Sequence, residues 1–314
     1  MSHAETEIVA SGLDVPEGPV SCPDGSVIFV EIRGGRVSRL GPDGVVSTVA
    51  AWRGGPNGAA FAPDGRLFVC DNGGAEWEHL GGALYLPAPH RPDAPTGRIR
   101  AVDVRTGEVE TVYARCGERL LVAPNDLVFD EHGGFYFTDF GRVHADTIVR
   151  GTVYYATADG GEIHPVATGL DRPNGCALSP SGDVLYVSET ATGRLWWWRV
   201  AAPGVLEGGL TYRGAGGGNL LYAAPGYDRF DSMAVEENGN VCVATYFHRG
   251  VTVVSPEGEL VEVVEFPGDP VITNICFAGD GHTAYVTSAG KGVLYRRAWP
   301  RKGLVLPAAG GLRP

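Results

Sequence analysis

Six short apolar runs punctuate the chain: VIFVE, LFVCD, FYFTD, VLYVS, VCVAT and AYVTS. β-Branched and aromatic residues dominate them, as suits a buried, pleated strand. A glycine stands shortly before each, at Gly25, Gly65, Gly133, Gly182, Gly239 and Gly281, and several of these follow Asp or Asn. Such pairs favour the backbone of a hairpin turn. Upstream of each turn a partner strand opens on a common motif. ASGLDVPEG (10–18) recurs as ATGLDRPNG (167–175), identical at six of nine positions, with looser copies at PNGAAF (56–61), PNDLVF (124–129), FDSMAV (230–235) and TNICF (273–277).

A third strand opened by glycine follows in every copy: GRVSRL (35–40), GRIRAVDV (97–104), GTVYYAT (151–157), GRLWWWRV (193–200), GVTVVS (250–255) and GVLYRRA (292–298). A fourth often comes next, as in VSTVAA, VETVYA, HPVATG and VEVVEF. Four strands per repeat, at roughly 40 to 70 residues a repeat, match a propeller blade better than the shorter solenoid units. The expected fold is an all-β, six-bladed β-propeller of four-stranded blades, a single domain over residues 1–314; a sandwich or two separate β domains is the alternative. EIVASGL (7–13) resembles the fourth strand HPVATGL (164–170) yet precedes the first copy. It is expected to complete the last blade and close the ring, which protects the strand edges. Residues 71–96 and 201–229 interrupt the period and read as loops, at a pocket mouth or on the surface. No window shows a helical stripe.

Composition agrees: 47 Gly and 22 Pro in 314 residues give more turns than a helical protein tolerates. The net charge of −12 works against nucleic acid or an anionic membrane as partner, and suits cation binding. No segment approaches 18 uninterrupted apolar residues, and MSHAETEIVASG lacks a basic stretch running into an apolar one, so a cytoplasmic protein is expected. Cys22, Cys70, Cys116, Cys176, Cys242 and Cys276 have no zinc spacing and read as reduced, mostly buried thiols.

The equivalent position of the six copies holds Glu17, Asn57, Asn125, Asn174, Asp231 and Asn274. Innermost propeller strands run along the central channel, so these side chains should converge on its axis. Carboxylate and carboxamide oxygens are the donors calcium prefers. Glu17 and Asp231 would balance its charge, while neutral Asn oxygens would complete the site and leave the ion electrophilic. Taken singly, each Asn or Asp could instead start a strand by bonding to the backbone. Asp71 and Asp139 read either as carboxylates supporting the ring or as turn formers. His79, His144 and His248 fall in or near loops, lining a pocket or simply exposed. G-x-S-x-G, H-E-x-x-H and a linear calcium loop are absent, and GAGGG (214–218) lacks the ending of a phosphate loop and reads as flexible linker.

PEGP (16–19), PNDLVFD (124–130), FYFTDFG (135–141), RPNG (172–175) and DSMAV (231–235) together resemble the senescence-marker-protein/gluconolactonase/luciferin-regenerating family, the third motif especially its bacterial lactonase branch. The resemblance implies a six-bladed propeller with one divalent ion in the channel, usually calcium, with Zn2+, Mn2+ or Mg2+ as other possibilities. Glu17, Asn174 and Asp231 match the family's metal ligands. Asn125 matches the Asn that approaches metal, water or substrate, and Asp126 the neighbouring acidic residue that some lactonases count in the catalytic set. Ala123 stands where the family's sugar-lactone enzymes carry Arg, so that contact to a sugar lactone is missing. The implied activity is calcium-dependent opening of a small-molecule lactone or related ester, with Asp231 or Asp126 as general base or nucleophile. Two rivals stand beside it: a phosphotriester hydrolase using the same site, and a non-catalytic propeller with structural calcium.

Overall fold

The computed structural model describes residues 6–88, 94–207, 215–247 and 250–306. Six antiparallel sheets follow one another round a ring, one per sequence repeat, and make the expected six-bladed β-propeller. Blades 1 to 6 open on the innermost strands Pro16–Ser21, Pro56–Phe61, Pro124–Phe129, Pro173–Leu178, Arg229–Val235 and Ile272–Phe277. The glycine of each following hairpin turn has a left-handed φ, from +68° at Gly281 to +90° at Gly239, where a side chain would be strained.

Blade 6 takes its fourth strand from the N-terminal end. Thr6–Ser11 pairs antiparallel with Val293–Ala298, Thr6 opposite Arg297 and Ser11 opposite Val293. Ala10 and Leu13 are buried with Phe29, Leu40 and Leu294, sealing the junction of blades 6 and 1. Deleting residues 1–12 is expected to cost about 3–5 kcal/mol, the scale of a few buried apolar side chains with their ladder hydrogen bonds. Denaturant unfolding of the truncated chain checks this; an unchanged midpoint would contradict it.

Apolar side chains gather at the junctions between blades. Phe68, Phe135, Phe137 and Tyr154 fill the one between blades 2 and 3, and Val251, Ile275, Val286 and Trp299 the one between blades 5 and 6. Each sheet therefore buries both faces, and second strands such as Val27–Glu31 and Leu67–Asp71 are buried throughout. That is why they read as continuous apolar runs instead of alternating ones.

The two interruptions hold more structure than loops. Trp77–Gly81 and Leu84–Pro87 form a hairpin that turns on Gly81 and Gly82, both at positive φ. Val205–Glu207 and Asn219–Ala223 both pair with Arg194–Ala202 and share the outer edge of blade 4. The edge is split between two short strands, so no single apolar run marks it. Gly218 is packed against Trp198, where an added Cβ would come within 2.5 Å of the indole, so this part of GAGGG is wedged in place rather than a flexible linker. All six cysteines are free thiols. No helix among the described residues is long and apolar enough to cross a membrane.

Candidate active site and metal centre in the central channel

Every innermost strand slips register next to the equivalent position: between Glu17 and Val20, Pro56 and Ala59, Pro124 and Leu127, Pro173 and Cys176, Phe230 and Met233, and Ile272 and Asn274. Bulges of this kind release a strand from its ladder and re-aim its side chains. Here all six ring residues are buried near the upper end of the channel, where the innermost strands begin. In blades 1, 2 and 4 the next residue is glycine, and the neighbouring blade's backbone passes over it. A Cβ on Gly18 would lie 2.6 Å from the Asn57 carbonyl oxygen, and one on Gly175 2.6 Å from Ser232 Cα. Blade 3 carries Asp126 at that position, and its carboxylate packs against Gly58.

The six positions are not chemically equal. Asn274 donates from Nδ2 to Glu17 Oε2 at 2.7 Å and accepts from the Ile275 N–H at 2.7 Å, so both ends of its amide are committed. Asn174 donates to Thr190 Oγ1 at 3.0 Å and accepts from Ser232 at 3.4 Å. Asp231 Oδ2 accepts a short hydrogen bond from the Tyr246 hydroxyl. Asp126 Oδ1 accepts from the Leu127 N–H at 2.9 Å. Hydroxyls tie this layer together across blades: Thr138 donates to the Asn174 carbonyl at 2.5 Å, and Ser188 to that of Asp231 at 2.7 Å.

Burial pushes Asp126 up to about 7. Burial also raises Asp231 to about 7, against the opposing pull of the Tyr246 hydrogen bond. Glu17 is held well above the usual carboxyl range by burial first, then by the charges of Asp231 and Asp126. The largest influences on the three are burial, the carboxylates themselves and neutral hydrogen-bond donors. Among the described residues, Glu17 Oε1 and Asn125 Oδ1 are buried without a hydrogen-bond partner. Uncompensated buried negative charge beside orphaned oxygens is costly, and a hard cation relieves both. No three His, Cys, Asp or Glu side chains form a metal-holding group among the described residues; here Asn125 and Asn174 stand beside only two carboxylate donors.

Below the ring the channel widens into a cavity of about 810 Å3 lined by Val20, Leu127, Met233 and Ile275, with Asp126 and Asn274 at its boundary. Asp71 and Asp139 do not join the ring. Asp139 accepts from the Val122, Ala123 and Gly141 N–H groups, and Asp71 from those of Gly55 and Gly73, so each clasps the loop that leads into an innermost strand. His79 is exposed on the hairpin, stacked on Tyr85, and His144 is half-buried in a blade 3 loop. His248 lies outside the described residues. Sequence reasoning missed Tyr246, Ser232 and the hydroxyl layer. A signal for the last was available: Thr138, Ser188 and Thr245 recur towards the ends of their second strands.

Residues 15–290 match the protein family described as the SMP-30/Gluconolactonase/LRE-like region. The chain belongs to this family. A lactonase, drp35, from Staphylococcus saprophyticus is 31% identical over 264 residues, covering 83% of this chain and 72% of the relative. A gluconolactonase from Zymomonas mobilis is 26% identical over 306 residues, covering 90% and 78%. Among solved structures, the calcium-binding protein regucalcin from Agrobacterium tumefaciens shares the fold at a TM-score of 0.73 and 16% identity, covering 98% of this chain and 97% of that one.

Proposed function

We propose that this protein is a calcium-dependent hydrolase that opens a lactone or a related ester, with Glu17, Asn125, Asn174 and Asp231 holding the ion. The observation that carries the reading is the pair of orphaned oxygens, Glu17 Oε1 and Asn125 Oδ1, set among three buried carboxyls. The lactonase and gluconolactonase relatives supply the reaction class, and regucalcin's description as calcium-binding favours that ion. Bound there, calcium supplies a Lewis acid for a carbonyl oxygen and the charge that develops on it.

The protein's own groups do the rest. Tyr246 holds Asp231 through Oδ2 and so orients the carboxylate that takes the proton of the attacking water. Thr190 and Ser232 fix the Asn174 amide, and Asn274 orients Glu17. Burial of the whole set keeps competing water away from the reacting carbonyl.

Calcium-loaded protein assayed on panels of lactones, open-chain esters and phosphotriesters tests the reading. kcat/KM on the best lactone is expected to exceed that on the best phosphotriester by about 10² or more. The reverse order would make it a phosphotriester hydrolase, and inertness toward all three panels with calcium bound would make it a binding platform.

A further inference from the structure

The hairpin Trp77–Gly81/Leu84–Pro87 leaves blade 2, crosses blade 1 and reaches blade 6. Trp77, Leu84 and Tyr85 pack with Val15 and Ile32 of blade 1, Val271 and Ala289 of blade 6 and Tyr246 of blade 5. At its tip Ala83 lies close enough to Gly292 that a Cβ on the glycine would be 3.2 Å away. The Arg33 guanidinium stacks 3.8 Å over the Tyr85 ring and is itself held by Asp14 at 2.5 Å. A two-stranded ribbon is marginal alone, so these contacts set its position.

Three of the packed residues stand next to the ring at the end of the channel where the innermost strands begin. Val15 is two residues before Glu17, Val271 is three before Asn274, and Tyr246 donates to Asp231. The aromatic surface continues outward from Tyr246 to Phe247 at 6.3 Å and from Phe247 to Tyr227 at 5.4 Å. Phe247 and Tyr227 are 52% and 69% exposed. Phe247 is held at φ +71°, a strained conformation for a bulky residue and one that concentrates at functional sites. Two rim arginines are taken up by rings, Arg33 by Tyr85 and Arg229 by Tyr227 at 3.9 Å.

We propose that the hairpin Trp77–Pro87, with Tyr246, Phe247 and Tyr227, is the specificity element of the mouth and selects lactones bearing an apolar alkyl or aryl substituent over polyhydroxylated sugar lactones. The inference rests on the hydrolase reading above. An apolar substituent laid on this wall leaves water favourably, whereas sugar hydroxyls would lose hydrogen bonds to water without replacement.

The test compares calcium-loaded wild type, Trp77→Ser and Tyr85→Ser on γ-lactones of increasing alkyl length and on gluconolactone, with melting curves recorded for each. In wild type kcat/KM is expected to rise about threefold per added methylene, mostly through KM, and to exceed that on gluconolactone by about tenfold for the longer chains. In both variants the chain-length dependence should fall to less than about half in logarithmic terms. Arg33→Gln, which loosens the hairpin without removing a ring, should lower it too and keeps the test valid if a ring variant does not fold. A flat alkyl series in wild type, preference for gluconolactone, or equal losses on every lactone in the variants would overturn the inference and leave lactone hydrolysis standing. No turnover of any lactone would overturn both.

Discussion

Stripping the protein with EGTA is expected to abolish hydrolysis, and added calcium to restore it, with melting temperature moving the same way. An ion that binds only the folded ring adds RT ln(1 + [L]/Kd), about 2.7 kcal/mol at a hundredfold excess over Kd. The effect carries a pH signature. In the stripped protein Asp126 and Asp231 titrate at about 7, far above the ordinary Asp value of 3.8, and Glu17 is also raised. Their folded state holds protons that the unfolded chain gives up, so their contribution to stability is full below about pH 4 and is lost as pH climbs through about 7. Carboxyls held below the ordinary Glu range by arginine hydrogen bonds, such as Glu31 and Glu236, lose their protons before these three and do not offset this. Stripped protein should therefore melt higher at about pH 5 than at about pH 8. The calcium-induced rise should grow over the same interval, because the ion competes with protons for the carboxylates. Melting curves with EGTA or calcium across pH check both statements. Full activity in excess EGTA, with no metal by elemental analysis, would overturn the metal's role.

The ring was legible because the propeller repeats its grammar. A polar residue near the start of each innermost strand recurs in all six copies, preceded by proline in four and followed by glycine in three, so equivalent positions could be aligned without any other chain. What that alignment could not do was distinguish roles among equivalents. Asn274 and Asn125 are both Asn, yet Asn274 spends both amide ends on Glu17 and Ile275 while Asn125 Oδ1 has no partner among the described residues. A carboxylate at a strand end looks the same whether it meets a cation or backbone N–H groups, so Asp71 and Asp139 could be settled only by their partners. Tyr246 was hidden for a different reason. It ends the second strand of blade 5, and its contact with Asp231 depends on the bulge between Phe230 and Met233. The hairpin 77–87 was missed because its apolar residues are few and mostly half-buried or exposed, and its strands gain their order from blades distant in sequence.

Asp231→Asn is expected to lower kcat by about 10² or more even at saturating calcium, as loss of a general base commonly does. The substitution keeps an oxygen donor of the same size and removes one negative charge together with the basic site. A residue that served only as ligand would give weaker calcium binding with turnover largely recovered when the ion is saturating. Two features favour the chemical role. The carboxyl is buried within the ring, away from bulk water, and Tyr246 fixes its orientation through Oδ2. Asp126 is the control, since it shares the raised titration but faces Gly58 and borders the lower cavity. Calcium affinity by calorimetry and kcat at saturating calcium, measured for both Asn variants, separate the outcomes. If Asp126→Asn abolishes turnover while Asp231→Asn stays near wild type, the base is Asp126, and the water is activated from the lower side of the ring.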